Sequence, residues 1–270
     1  LSTNVSISSI TCNIPMNIQT KGTLSLVSSD SKKSSSNNEV TFGGAVGNVN
    51  KVSFNNVQLL GGGTITAFAG TANKVEKKDD DASTYDIYAG AMIGKADSVE
   101  IRNSKVDTNN KLFALQLSND KNSTSGDINV YVGGLIGYAN AIETKNNLET
   151  MIYAKLNISS LKASKFAIGG IVGEAISSDF KQVECYTNIN ISECNFIDTY
   201  LGGFVGYTDN SDYNLCISTG YITVNELTLS SQSYSYIGGF AGYITIAQKS
   251  SRTKRKIENC YTLSNIKFDD

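Results

Sequence analysis

One short word recurs six times in this chain, and nothing else in the sequence restricts its fold as much. It reads "FGGAVG" at 42–47, "YAGAMIG" at 88–94, "YVGGLIG" at 131–137, "AIGGIVG" at 167–173, "YLGGFVG" at 200–206 and "YIGGFAG" at 236–242. Each copy pairs a glycine with a second small residue, adds two apolar residues and closes on glycine. The repeated glycines are Gly43, Gly44 and Gly47; Gly90 and Gly94; Gly133, Gly134 and Gly137; Gly169, Gly170 and Gly173; Gly202, Gly203 and Gly206; and Gly238, Gly239 and Gly242. First glycines are separated by 47, 43, 36, 33 and 36 residues, so the wording is regular and the spacing is not. One supersecondary unit per copy, with insertions confined to outer loops, accounts for both facts. Glycine weakens a strand, so a glycine pair set among large apolar residues marks a place where backbones approach too closely for a side chain.

Each word is followed by a second run rich in β-branched and aromatic residues: 52–60, 99–106, 151–158, 183–191, 214–224 and 257–266. These favour strands, and no apolar period of a helix survives beyond about two turns. Polar segments such as "VEKKDDDASTYD" (75–86) and "NDKNSTSGD" (119–127) read as excursions from a stacked frame. The expected fold is therefore all-β: one parallel β-helix or solenoid over residues 1–270, right-handed by the chirality of parallel crossovers. It should have about seven rungs with loop insertions, residues 1–40 giving a partial N-terminal rung and 41–266 the six Gly-Gly repeats.

The "GGLIG", "GGIVG" and "GGFVG" words, with the "VECYT" and "IENCYT" runs after them, resemble GLUG-motif repeats over about residues 41–266. That resemblance implies an adhesin-like β-solenoid of an extracellular or cell-surface protein, with this chain a segment of a longer repeat protein. Ala91 departs from the pattern, and so do the long early insertions. The expected function is a non-enzymatic scaffold presenting a binding surface to glycans or cell-surface proteins. Two alternatives are a structural subunit of a filament, appendage or coat, joined to other copies or flanking repeats through open solenoid ends, and a polysaccharide-active β-helix enzyme.

Composition narrows the chemistry. The chain has no His, which removes the usual general base and the commonest zinc ligand. A net charge of −2 supplies no field for capturing nucleic acid, and no apolar run is long enough for a direct membrane span. No cofactor or metal site is expected: Asp79–Asp81 lacks the alternating ligands of a calcium loop. No Asp or Glu pair recurs on neighbouring rungs at glycosidase spacing. Cys185, Cys216 and Cys260 fall at similar places in three consecutive repeats, either as an inward ladder of buried thiols or as disulfides between rungs. Candidate binding residues are Tyr207 and Tyr243, which follow closing glycines as Tyr138 does, and Arg252, Lys254, Arg255 and Lys256 in a basic loop. Sequons at Asn4, Asn122, Asn157 and Asn190 permit glycosylation without arguing for it.

Overall fold

In a computed structural model, residues 5–8, 11–12, 16–19, 38–59, 63–69, 85–106, 113–119, 128–145, 150–246 and 255–269 are described. Among them there is no helix, and every strand pairs in parallel with a strand of the next repeat, giving a stacked β-solenoid. Each turn visits four sheets. Sheet 1 holds the strands that begin just before the closing glycine: Val46–Asn50, Ile93–Asp97, Ile136–Asn140, Val172–Ile176, Val205–Asp209 and Ala241–Thr245. Sheet 2 takes the first part of the second run: Val5–Ser8, Val52–Asn55, Glu100–Arg102, Glu143–Lys145, Asp179–Lys181, Asp212–Asn214 and Ile257–Glu258. Sheet 3 follows with Thr11–Cys12, Gln58–Leu59, Lys105–Val106, Thr150–Ile152, Val183–Tyr186, Ile217–Thr219 and Tyr261–Thr262.

Sheet 4 receives the chain twice per turn. Its strands Met16–Gln19, Gly63–Ala69, Phe113–Asn119, Lys155–Ser159 and Asn265–Asp269 end a second run, and Asn38–Gly43, Tyr85–Gly90, Ile128–Gly133 and Lys162–Gly169 lead into a glycine word. The two halves run on as single long strands in Asn188–Gly202 and Tyr221–Gly238, with a register shift between Phe196 and Asp198 where the later strand carries extra residues. Residues 70–84 and 120–127 fall between the two halves in the sequence, and each half keeps its pairing with the neighbouring rungs.

The second runs are not single strands. The described non-glycine residues with positive φ mark bends along each turn and fall into three columns. Lys51, Ser98, Ala141, Ser177 and Asn210 lie between sheets 1 and 2. Asn56, Asn103, Gln182, Leu215 and Asn259 lie between sheets 2 and 3. Ser160, Glu193 and Glu226 lie at the junction within sheet 4. Only two of the three are Asn-rich or small, yet members of every column donate their N–H to a carbonyl of the next rung, as Lys51, Asn56 and Ser160 do. At the first corner, for example, the Ser98 N–H donates to the Asn140 carbonyl and the Ala141 N–H to the Ile176 carbonyl, so the bend keeps its bond to the next rung.

At the fourth corner stand the glycine words. The first glycines lie in register from Gly43 through Gly90, Gly133, Gly169 and Gly202 to Gly238. A Cβ on Gly169 would sit 2.0 Å from the Val172 carbonyl oxygen, because the chain reverses there too tightly for any side chain. The second glycines touch the rung above: a Cβ on Gly170 would meet the Gly203 carbonyl oxygen at 2.1 Å. Ala91 coincides with a change in this corner. Gly134, Gly170 and Gly203 donate to the first-glycine carbonyl of the next rung, whereas Gly44 donates to the carbonyl of Ala91 itself.

Inside the coil, alternate residues stack into apolar columns such as Leu156–Ile189–Ile222–Ile266 and Val132–Ile168–Leu201–Ile237. Phe180 and Tyr213 stack at 5.4 Å in the same interior, and the buried Tyr213 hydroxyl donates to Thr208 Oγ1 at 2.7 Å. The three-cysteine ladder does not form. Cys185 pairs in register with Ser218, while Cys216 and Cys260 each precede the in-register pair Ile217 and Tyr261. Cys185 lies 16 residues after its first glycine and Cys216 only 14, which keeps the same face but shifts the position by two.

Candidate functional site: the outer faces

Because the chain reverses sharply at each glycine word, the outer face of the strand before it folds against the outer face of the strand after it. A tyrosine seam results, outside the main core. Tyr88, Tyr131, Ala167, Tyr200 and Tyr236 form one column and Lys95, Tyr138, Glu174, Tyr207 and Tyr243 the facing one. Rings stack along the seam at 5.0 Å for Tyr88 and Tyr131, 5.6 Å for Tyr200 and Tyr236, and 5.6 Å for Tyr207 and Tyr243. Across it, Tyr200 meets Tyr207 edge to face at 5.2 Å. Where Ala167 leaves the tyrosine column open, Lys165 enters. Its ammonium lies 5.2 Å from the Tyr131 ring, 4.6 Å from that of Tyr207, and in contact with the Glu174 carboxylate.

The seam is dry enough to shift its acids. Burial pushes the Tyr138 and Tyr200 hydroxyls up to about 12. Burial also drives Tyr88 well above the ordinary phenol range, assisted by Asp86, which accepts its hydroxyl at 3.1 Å. Burial raises the Glu174 carboxyl too, against the opposing pull of Lys165. Tyr207 and Tyr243 thus belong to a packed ladder whose ring faces are used by one another. Tyr88, Tyr131, Tyr200 and Tyr236, Lys165 and Glu174 complete it, and sequence reasoning did not place them there. The available signal was an aromatic both at the start of the word and just after its closing glycine.

Sheet 2 presents a charge zipper. Glu100, Glu143, Asp179 and Asp212 stand in register on consecutive rungs, an acidic column that sequence reading did not identify. Their spacings of 43, 36 and 33 residues equal those of the glycine words. Each carboxylate has a cation. Arg102 pairs with Glu100, Lys145 lies 2.8 Å from Glu100 and 3.2 Å from Glu143, Lys181 lies 2.7 Å from Asp179, and Arg255 lies 2.9 Å from Asp212. The Lys145 hydrogen bond holds the Glu100 carboxyl below its ordinary range.

Two members of the basic loop therefore close this zipper. Arg255 also donates from Nε to Asn210 Oδ1 at 2.9 Å, and the Lys256 ammonium lies 3.2 Å from Glu258. Arg252 and Lys254 lie outside the described residues, as do Asn4 and Asn122. Asn157 and Asn190 are in-register neighbours, and Asn190 Nδ2 donates to Asn157 Oδ1 at 2.9 Å. Both amides belong to a strand ladder rather than to an open loop.

Sheet 3 differs from the other faces. Its outer column runs Met151, Glu184, Ile217, Tyr261, with Tyr153 and Tyr186 stacked beside it at 4.5 Å. Around its C-terminal half, Leu215 at the corner from sheet 2, Tyr221 just past the corner into sheet 4, Tyr261 on the sheet itself and Leu263 just after it are 47%, 60%, 53% and 68% exposed. Among the described residues no ring stacks on Tyr221 or Tyr261, so their π faces are open. Tyr221 follows Gly220, whose φ of 128° turns the chain from sheet 3 into sheet 4, and its N–H is fixed by Asn188 Oδ1 at 3.0 Å. This face can take apolar and CH–π contacts; the seam and the zipper are already satisfied internally. No protein family, curated protein or solved structure matches this chain.

Proposed function

We propose that this chain is a non-enzymatic, GLUG-like repeat scaffold of the extracellular space or a cell surface, adhesin-like in use, whose exposed sheet 3 face binds a neutral glycan chain. One observation carries the reading: Tyr261 on sheet 3 and Tyr221, just past the corner from sheet 3 into sheet 4, are exposed with no ring stacked on either among the described residues, whereas the tyrosine seam and the charge zipper are self-paired. Carbohydrate C–H groups pack on open aromatic faces, and the single column carboxylate Glu184 is engaged by Tyr186 at 2.7 Å, which favours an uncharged ligand. The chain has no Trp, so its emission comes from its 14 tyrosines, and the contribution of Tyr221 and Tyr261 is isolated by comparison with a variant lacking both. Titration with a panel of neutral oligosaccharides is expected to give a saturable change that Tyr221→Ala with Tyr261→Ala removes. Undiminished binding by that double variant would reject the assignment.

A second reading rests on the last described rung. Ile244, Ile257, Ile266 and Phe268 are exposed there although they continue columns that are buried in the rungs below. Four parallel sheets with open edges and an uncovered apolar interior suit assembly through the solenoid end.

A further inference from the structure

Outside the seam and the outer faces, the described residues contain one pair of neighbouring thiols. Cys216 and Cys260 sit on adjacent rungs at equivalent positions: each immediately precedes the in-register pair Ile217 and Tyr261, and the Tyr261 N–H donates to the Cys216 carbonyl at 3.1 Å. The Cys216 thiol donates to the Phe180 carbonyl at 3.4 Å and the Cys260 thiol to the Glu258 carbonyl at 3.2 Å. Cys216 is fully buried and Cys260 is partly open to solvent. In-register neighbours of a parallel sheet have Cα atoms about 4.8 Å apart, inside the range a disulfide spans without backbone movement. Cys185 and Cys194 are buried elsewhere, Cys185 donating to the Gly203 carbonyl and Cys194 to the Ser192 carbonyl, and neither has a thiol neighbour in register.

We propose that Cys216 and Cys260 form a cross-rung disulfide when the protein meets a small-molecule disulfide, fastening the last described rung to the one below. Cys260 is the entry point because it is the accessible member. Its thiolate attacks one sulfur of the small disulfide; that S–S bond breaks, a mixed disulfide forms on Cys260, and one small thiolate leaves and takes up a proton. Cys216 then gives up its proton and attacks Cys260 Sγ, forming the protein S–S bond and expelling the second small thiolate. Two protein thiols are oxidised and one small disulfide is reduced to two thiols. The neighbouring Cys216 lowers the Cys260 thiol to about 7, which supplies attacking thiolate at neutral pH. Such a bond persists in oxidising compartments, and it would clamp residues whose interior side chains are otherwise uncovered.

The test is to incubate the purified chain with oxidised glutathione, quench with acid, block free thiols and read intact mass and peptide masses. The chain has five cysteines, so consumption of two should leave three blockable thiols and a cross-linked peptide pair containing Cys216 and Cys260. Cys216→Ser should stop at the intermediate, carrying one glutathionyl group on Cys260. Cys260→Ser should leave Cys216 unmodified. A full set of five free thiols, a glutathionyl group retained on Cys260 of the unaltered chain, or a cross-link involving Cys12, Cys185 or Cys194 instead would each overturn the proposal.

Discussion

The glycines of one word do unequal work. Gly203 is covered by backbone, with the Gly239 carbonyl oxygen 2.1 Å from where a Cβ would lie, whereas the nearest atom above Gly239 is the Thr262 Cγ2 methyl at 3.1 Å. Backbone in a stacked sheet cannot retreat, but a side-chain methyl can rotate. Gly203→Ala is therefore expected to lose at least about 1–3 kcal/mol, and Gly239→Ala to stay within about 0.5 kcal/mol of the parent. Urea unfolding of the two variants checks this, and equal losses would contradict the close-approach account. The glycine corner was legible in the sequence because only glycine fits it. The positive-φ corners were not. A non-glycine residue there costs roughly 1–2 kcal/mol, yet Lys51, Ala141, Gln182, Leu215 and Glu226 all adopt it, and only Asn56, Asn103, Asn210 and Asn259 look like turn residues. Inter-rung hydrogen bonds impose the bend, and those bonds are invisible in any single repeat.

In the seam, the decisive unit is the strand pair flanking each word. Lys165 and Glu174 face each other across one such reversal, with side chains 26% and 7% exposed. Lys165→Met leaves the Glu174 carboxylate in an aromatic cage without its cation. The expected loss is below the roughly 3–5 kcal/mol of a fully buried pair, since Lys165 keeps some contact with water. Replacing both, as Lys165→Met with Glu174→Leu, should recover most of it because the site is lined by tyrosine rings. Chemical denaturation of the two variants and the parent decides the matter; a double variant no more stable than Lys165→Met would mean that the pair supplies packing rather than charge. Sequence reading saw Tyr207 and Tyr243 as one exposed face. It could not see that the reversal at Gly202 and Gly203 brings Tyr200 against Tyr207, because that contact follows from the turn angle and not from alternation along a strand.

For the molecule as a whole, the stacked solenoid and the order of its repeats could be read from the spacing of the words, and register follows from it. The spacings of 43, 36 and 33 residues align the acidic column of sheet 2 as well as the glycines. The division into four sheets was not legible, since the corners between sheets 1 and 2 and between sheets 2 and 3 carry no glycine or proline to mark them. Exposed interior columns on the last described rung predict self-association. Sedimentation velocity over a concentration series should show it, and Ile266→Lys with Phe268→Lys should abolish it. Association unaffected by that change would place the contact on another surface.

All the strand pairing described here runs from rung to rung, so the hydrogen bonds of the four sheets point along the long axis. Tension applied between the two ends of such a rod loads one rung's bonds while those beneath stay intact. The rod would yield by peeling, one turn at a time, each release paying out the 33 to 47 residues of a repeat. At about 3.3–3.6 Å per extended residue, that is a step of roughly 110–170 Å. Such a stack would thereby lengthen under strain long before it was lost, and a bond between Cys216 and Cys260 would withhold the residues between them from that release.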